Sequence, residues 1–166
     1  QNSIKLIYDI SLGKKAKIKN IKFVGDKKFK DRKLSQIIAS ENAKFWKFIS
    51  NKIYLDANRI NLDKRLLLNF YKNSGYYNVK IQDSFVELSN DGFFTLTFSI
   101  SAGKKFVFNN LSLDVPDDFD KKYFTKIINL LDNLKDETYS LTRIENILNE
   151  IDTIALSKDY QFIDAN

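Results

Sequence analysis

The sequence predicts an α+β fold built from tandem β-α-α-β-β units, and three observations support this prediction. First, the later part of the chain repeats the earlier part at a nearly constant offset. Second, apolar residues alternate with a period of two in some segments and recur with the helical period in others. Third, 43% of the residues are hydrophobic and 29% are charged, a balance typical of globular domains rather than disordered chains.

The repeat is clearest in two segments whose numbers differ by 90. Residues 4–15 and 94–105 share strand-like alternation, one glycine and a following pair of lysines, and the same offset relates Phe29 to Phe119. Towards the end of the chain the offset falls to 84, so the second copy is shorter by six residues. Because the matching positions keep the same order, the sequence predicts a tandem array.

Local signals place the first elements of the complete unit. A short strand at 21–24 ends at the turn signal of residues 25–26. Asp31 is predicted to cap a first helix, and a second helix begins near Asp56. The second helix ends just before Gly75, because glycine readily adopts the left-handed conformation found at helix C-caps.

Two further strands close the unit as a hairpin. Residues 77–88 and 93–100 alternate in polarity on either side of a turn sequence at 89–92. Around Asp83 the apolar positions change from odd to even numbers, as a β-bulge requires. A bulge and polar residues are typical of an edge strand, which either receives an added strand or is only protected against aggregation.

The second copy contains the first three elements again. Residues 108–113 predict a strand, 120–134 a helix, and a last helix opens at Ser140 or Thr142, where Thr142 and Glu145 match a capping box. The predicted organisation is the closing strand of a preceding unit in 1–13, a complete unit in 14–103, and a second unit in 104–166 that stops before its final hairpin.

The composition argues against an enzyme. The chain contains no cysteine and no histidine, which removes thiolate nucleophiles, the commonest general base near neutral pH and the commonest metal ligand. The acidic pairs at 117–118 and 136–137 stand at helix starts or loops, where acids complement the helix dipole. We therefore predict no catalytic residue, no metal site and no cofactor.

Positive charge is concentrated in one stretch. The formal net charge is +6, yet residues 14–33 contain ten Lys or Arg and only two Asp, so this stretch alone carries +8. It either contacts an anionic surface such as lipid head groups or forms a solvated face. Nucleic-acid binding is disfavoured, because no exposed aromatic residues interleave with the cations. The candidate contacts are Lys14, Lys15, Lys17, Lys19, Lys27 and Lys28.

Three motifs, taken together, resemble the POTRA family. They are Ile18-x-x-Ile21-x-Phe23-Val24-Gly25-Asp26-x-x-Phe29, Phe70-Tyr71-x-x-x-Gly75-Tyr76 and Leu96-x-Phe98-x-Ile100-x-x-Gly103. The resemblance implies that each unit is a three-stranded mixed sheet covered on one face by two antiparallel helices. The segment 43–54 is similar to a long loop in the third POTRA domain of outer-membrane protein assembly factors. The chain is thus expected to hold the third domain and part of the fourth.

The resemblance implies a periplasmic binding scaffold for the assembly and insertion of β-barrel outer-membrane proteins, acting by β-augmentation. The implied partners are unfolded β-barrel clients, an assembly-machine lipoprotein and neighbouring POTRA domains, with a membrane surface as a further candidate. The signal peptide and membrane barrel are expected outside this chain. Alternatives are POTRA repeats of another barrel-linked translocator or secretion pore and, less favoured, a basic nucleic-acid-binding module. The candidate binding residues of the edge strand are Tyr77, Val79, Lys80, Ile81, Gln82, Asp83, Ser84, Val86 and Leu88.

Overall fold

A computed structural model of the protein describes residues 7–9, 17–43 and 50–158. Lys14, Lys15 and most of the predicted strand of a preceding unit lie outside these residues. The elements are β1 (Ile18–Asp26), α1 (Asp31–Ile37), α2 (Ala57–Lys72), β2 (Lys80–Leu88), β3 (Phe94–Ser101), α3 (Thr125–Asn133) and α4 (Leu141–Ser157), with 3-10 turns at Asn51–Ile53 and Lys121–Phe124. The predicted α+β class and the β-α-α-β-β order of the first unit are confirmed.

The three strands form one mixed sheet in the order β1-β3-β2. β1 runs parallel to β3, and β2 runs antiparallel to it. The central strand supplies Leu96, Phe98 and Ile100 to the core, and each is at most 1% exposed. α1 and α2 pack against the sheet, as predicted. Within the described part of the chain, no helix is long and apolar enough to cross a membrane.

A stripe of buried side chains on α2 joins the helix layer to the sheet. Asp63, Leu67 and Tyr71 recur at intervals of four residues and are fully buried. The Tyr71 hydroxyl donates a hydrogen bond to the Lys27 carbonyl. Burial, followed by the nearby Tyr76, raises the pKa of Tyr71 well above its usual range, so the hydroxyl remains a donor at any physiological pH. The helix is therefore fastened to the turn that follows β1.

Gly25 and Asp26 of the opening motif are the last two residues of β1, directly before that turn. Gly25 has a φ of +86°, and a Cβ there would collide with the Ile100 carbonyl, so this position requires glycine. The Asp26 carboxylate pairs with Lys28 at 2.6 Å and accepts the Gly103 N–H at 3.1 Å. The motif thus ties the end of β1 to the end of β3, where the chain leaves the first unit.

A second hydrophobic cluster lies C-terminal to residue 103. Its buried residues are Phe108, Val115, Phe124, Ile127, Leu131, Leu134, Ile147 and Ile151. We call residues 17–103 the first unit and residues 104–158 the second unit. The domain bounds inferred from the sequence remain a prediction.

Three details of the second unit differ from the prediction. Residues 108–113 do not form a strand, because no described strand lies beside them to supply hydrogen bonds; Val107 makes only an isolated bridge to Thr138. The helix predicted at 120–134 is split into a 3-10 turn and α3. α4 begins after Ser140, one of the two predicted starts, but Thr142 lies inside the helix, so Thr142 and Glu145 do not form the predicted capping box.

Candidate functional site

The predicted edge strand begins three residues later than the sequence indicates. β2 starts at Lys80, because the chain first makes a turn in which the Val79 N–H donates to the Tyr76 carbonyl at 3.2 Å. Val79 is 5% exposed and belongs to the core. Tyr77 packs against rings of the second unit. The prediction that Tyr77 and Val79 belong to the edge strand is therefore wrong. The edge strand consists of residues 80–88.

The predicted β-bulge is confirmed within β2. Ile81 pairs with Ile100 and Ser84 pairs with Phe98, so Gln82 and Asp83 together oppose Ser99. One extra residue in the strand reverses which positions face the helices. This reversal explains why the apolar residues change from odd to even numbers.

The hydrogen-bonding pattern of the hairpin identifies which backbone N–H and C=O groups of β2 point away from β3. The Ser89 N–H donates to the Phe93 carbonyl at 2.9 Å, so Ser89 faces β3. N–H and C=O groups alternate between the two sides of an antiparallel strand, and Glu87 and Phe85 therefore also face β3. The backbone N–H and C=O groups of Ser84 and Val86 therefore point away from β3. No other described strand lies on that side.

The opposite edge of the sheet is partly occupied. The Ile18 carbonyl accepts the Ala43 N–H at 2.7 Å. Near the other end of β1, the Phe23 carbonyl accepts the Lys27 Nζ at 3.2 Å and the Gly25 carbonyl accepts the Lys27 N–H at 3.0 Å. β2 is therefore the more open of the two edges to an added strand.

Apolar side chains accompany the free groups of β2. Phe85 is 45% exposed on the face away from the helices, and Leu88 is 64% exposed near the hairpin turn. Val86 is half-buried against the core. A strand paired with residues 84–88 would thus cover apolar surface as well as gain main-chain hydrogen bonds.

The first unit is joined to the second by a shared helix cap. Asn73 follows α2, and its side-chain oxygen accepts the Thr142 N–H at 2.8 Å and the Ser140 hydroxyl at 2.9 Å. These residues begin α4, so an orphan N–H of the second unit is satisfied by the first.

Backbone and ring contacts complete this joint. The Phe106 N–H donates to the Gly75 carbonyl at 2.8 Å. Tyr77 lies edge-on to Phe106 and Tyr139, with ring centroids 6.3 and 5.3 Å away. Burial, with a smaller effect of Tyr77, raises the pKa of Tyr139. The joint stands beside the start of β2, because Tyr77 precedes Lys80 by only three residues.

The lysines proposed to contact an anionic surface have partners within the protein. Lys19, Lys27 and Lys28 pair with Asp91, Asp31 and Asp26 respectively. The Lys17 ammonium lies 6.0 Å from the centre of the Tyr54 ring. Since ion pairs reduce the field that a distant anion meets, the structure weakens the case for Lys19, Lys27 and Lys28, whereas the ring contact of Lys17 leaves its charge in place.

Two residues of structural importance were missed from the sequence. Asp63 is fully buried, and its Oδ1 accepts the Ala39 N–H at 2.6 Å and the Ser40 N–H at 3.2 Å. Asp63 lies four residues before the buried Leu67, and this helical spacing could have indicated that Asp63 is buried too. Asn73 stands at the end of α2, and no local pattern in the sequence indicates its partner in the second unit. Within the described ranges, no group of three acidic side chains could hold a metal ion.

Comparisons with known proteins agree with this architecture. The family model for POTRA, described as surface antigen variable number repeat, matches residues 16–103. The outer membrane protein assembly factor BamA of Buchnera aphidicola is 27% identical over 151 residues, covering 90% of this chain and 24% of the relative. BamA of Neisseria meningitidis serogroup B is 24% identical over 115 residues, covering 69% and 14%.

A solved structure shares the fold. The crystal structure of Haemophilus influenzae BamA POTRA3-5 matches with a TM-score of 0.58 at 19% identity, covering 86% of this chain and 54% of that one. The chain therefore spans about a quarter or less of the length of the curated relatives.

Proposed function

The chain belongs to the POTRA family, and on this premise we propose that it is a periplasmic scaffold for the assembly of β-barrel outer-membrane proteins. The relatives that support the proposal are outer membrane protein assembly factors. The proposed partners are unfolded β-barrel clients, an assembly-machine lipoprotein and neighbouring POTRA domains. The proposed location is the periplasmic part of an outer-membrane protein.

The proposed mechanism is β-augmentation at residues 84–88. The observation that carries it is the asymmetry of the two sheet edges: the carbonyls of Ile18, Phe23 and Gly25 have partners, whereas the outward groups of Ser84 and Val86 have no strand beside them in the described part of the chain. An extended segment gains affinity there from main-chain hydrogen bonds. Such binding accepts many sequences, which suits a factor that handles diverse β-rich clients.

The bulge limits the length of the paired segment. A regular ladder runs from Ser84 to Leu88, and the register shifts at Gln82 and Asp83. A partner strand would therefore pair over about five residues before losing register, because a bulge disrupts the ladder locally. Short pairing favours reversible capture over permanent incorporation into the sheet.

The test uses peptides that copy membrane strands of an outer-membrane β-barrel protein. Ser84→Pro removes an N–H that faces away from β3, and so it should keep the circular dichroism spectrum while weakening peptide binding at least tenfold. Ser84→Ala is the matched control and should bind like the wild type, because the side chain does not recognise the peptide.

A second arm does not depend on the folding of the proline variant. Peptides N-methylated at alternate residues lose the donors on one side only, so one of the two alternate patterns should abolish binding to the wild-type protein while the other retains it. If both patterns bind as well as the unmodified peptide, main-chain pairing is not the mechanism.

A further inference from the structure

The helix layer of the first unit presents an unneutralised basic surface. Asp31 is paired with Lys27, and Asp63 is buried, so neither carboxylate offsets the charge of the outer side. Arg59 of α2 donates its guanidinium hydrogens to the Asn51 and Tyr54 carbonyls. The other exposed or half-exposed cations of α1 and α2 are Arg32, Lys33, Lys64, Arg65 and Lys72. We call these five residues the basic helix face.

No residue of the basic helix face forms an ion pair within the part of the chain that the structure describes. Lys33 lies over the Phe70 ring, with its ammonium 5.6 Å from the centroid, a contact that leaves its charge in place. These cations therefore differ from Lys19, Lys27 and Lys28, which lie next to carboxylates.

The second unit shows that the fold does not require this charge. Its helices carry Lys126 and Arg143, which pair with Glu150 at 2.6 Å and Glu137 at 3.6 Å. They also carry three further acids, Asp132, Glu145 and Asp152. The helices of the first unit thus carry an excess of cations that form no ion pair, whereas those of the second unit carry an excess of acids and both of their cations are paired.

The scarcity of exposed apolar side chains on the basic helix face favours lipid head groups over a protein as its anionic partner. Leu62, 37% exposed, is the one large apolar side chain exposed on the described α1 and α2. Docking to a protein usually depends on aromatic or aliphatic anchors that become buried at the centre of the interface, and this face offers almost none. Anionic lipid head groups need no such anchors, because their attraction to Lys and Arg is electrostatic.

We propose that the basic helix face docks the first unit on a membrane surface rich in anionic lipids. The proposal moves the anionic contact from the paired lysines of β1 and its turn to α1 and α2. It does not rest on strand addition at β2, because β2 is not part of this face. When the first unit is docked on the membrane through α1 and α2, the backbone N–H and C=O groups of Ser84 and Val86 would remain available to a partner strand.

The experiment compares two triple variants of equal net charge. Arg32→Gln, Arg65→Gln and Lys72→Gln remove three cations of the basic helix face. Lys22→Gln, Lys80→Gln and Lys104→Gln remove three exposed cations that lie elsewhere and form no ion pair among the described residues. Each triple lowers the formal net charge from +6 to +3, so a difference between them reports location and not total charge.

Binding is measured by co-sedimentation with phosphatidylcholine vesicles that either contain half phosphatidylglycerol or contain none. The wild type should bind only the anionic vesicles, and less at 500 mM than at 50 mM salt. Each cation near the surface is worth about fivefold in partitioning, so the helix triple should lose about hundredfold and the control triple much less. Thermal unfolding confirms that both triples fold.

Three results would overturn the proposal. The first is equal loss in both triples, which would mean that net charge alone attracts the protein. The second is no preference of the wild type for anionic vesicles. The third is binding of soluble polyglutamate, but not of vesicles, through the helix cations, which would make the face a docking site for an acidic protein.

Discussion

The Asn73 side chain accepts the Thr142 N–H at 2.8 Å, so the residue that follows α2 in the first unit caps α4 in the second. Ser140 occupies the N-cap position, but its hydroxyl donates to Asn73 and does not cap its own helix. A helix start that depends on a neighbouring unit couples the stability of that helix to the joint.

We expect Asn73→Ala to loosen the first turn of α4. Loss of an N-cap acceptor typically costs about 1 kcal/mol, and here the cost should fall on the second unit. Amide exchange at Thr142 should become faster, with no change in the strands of the first unit. Asn69→Ala, one turn earlier on α2, is the control; equal effects of the two substitutions would mean that the cap across the joint has no energetic value.

Gly75→Ala should disturb the joint more than Gly92→Ala disturbs its own turn. Both glycines have positive φ, +98° and +78°, so both substitutions carry a backbone cost of about 1–2 kcal/mol. A Cβ at Gly75 would also lie 2.9 Å from side-chain carbons of Lys105 and Thr138, whereas a Cβ at Gly92 meets open space. The melting temperature should fall further for Gly75→Ala, and indistinguishable values would contradict the close packing at the joint.

Acid should weaken the contact between Asp26 and the end of β3. The hydrogen bond from Lys28, assisted by the Gly103 N–H, holds the pKa of Asp26 below its ordinary value of 3.8. A carboxyl whose pKa is lower in the folded state stabilises the fold above the unfolded value, and this contribution is lost as the pH falls through the folded value.

The urea midpoint should therefore decline as the pH falls below about 4, and the decline should be shallower in Asp26→Asn. Asp118→Asn removes an exposed aspartate with no ion pair in the described structure and should keep the wild-type slope. A wild-type slope in Asp26→Asn would show that the contact does not contribute.

Local interactions were predictable from the sequence. The β-bulge followed from the change of parity around Asp83, and the start of α2 followed from Asp56, whose side chain accepts the Arg59 N–H at 2.7 Å. Both features depend on residues close in the chain, so the pattern of residue types is sufficient.

Tertiary interactions were not predictable in the same way. The beginning of β2 was placed too early, because the apolar residue at position 79 continues the strand alternation in the sequence. Val79 instead packs in the core before the strand begins. The segment 108–113 has strand-like alternation, but a strand also needs a neighbour. The partner of Asn73 lies 69 residues away in the chain, and no spacing rule relates the two positions.

The central claim, that β2 receives a partner strand, is tested most directly by amide exchange of the wild-type protein with and without a saturating β-barrel strand peptide. Exchange at Ser84 and Val86 should slow on binding, because their N–H groups face away from β3 and would gain acceptors. Phe85 and Glu87 should be slow in both states, and Ile21 on β1 should not change. New protection at Ile21, or none at Ser84 and Val86 despite bound peptide, would contradict strand addition at β2.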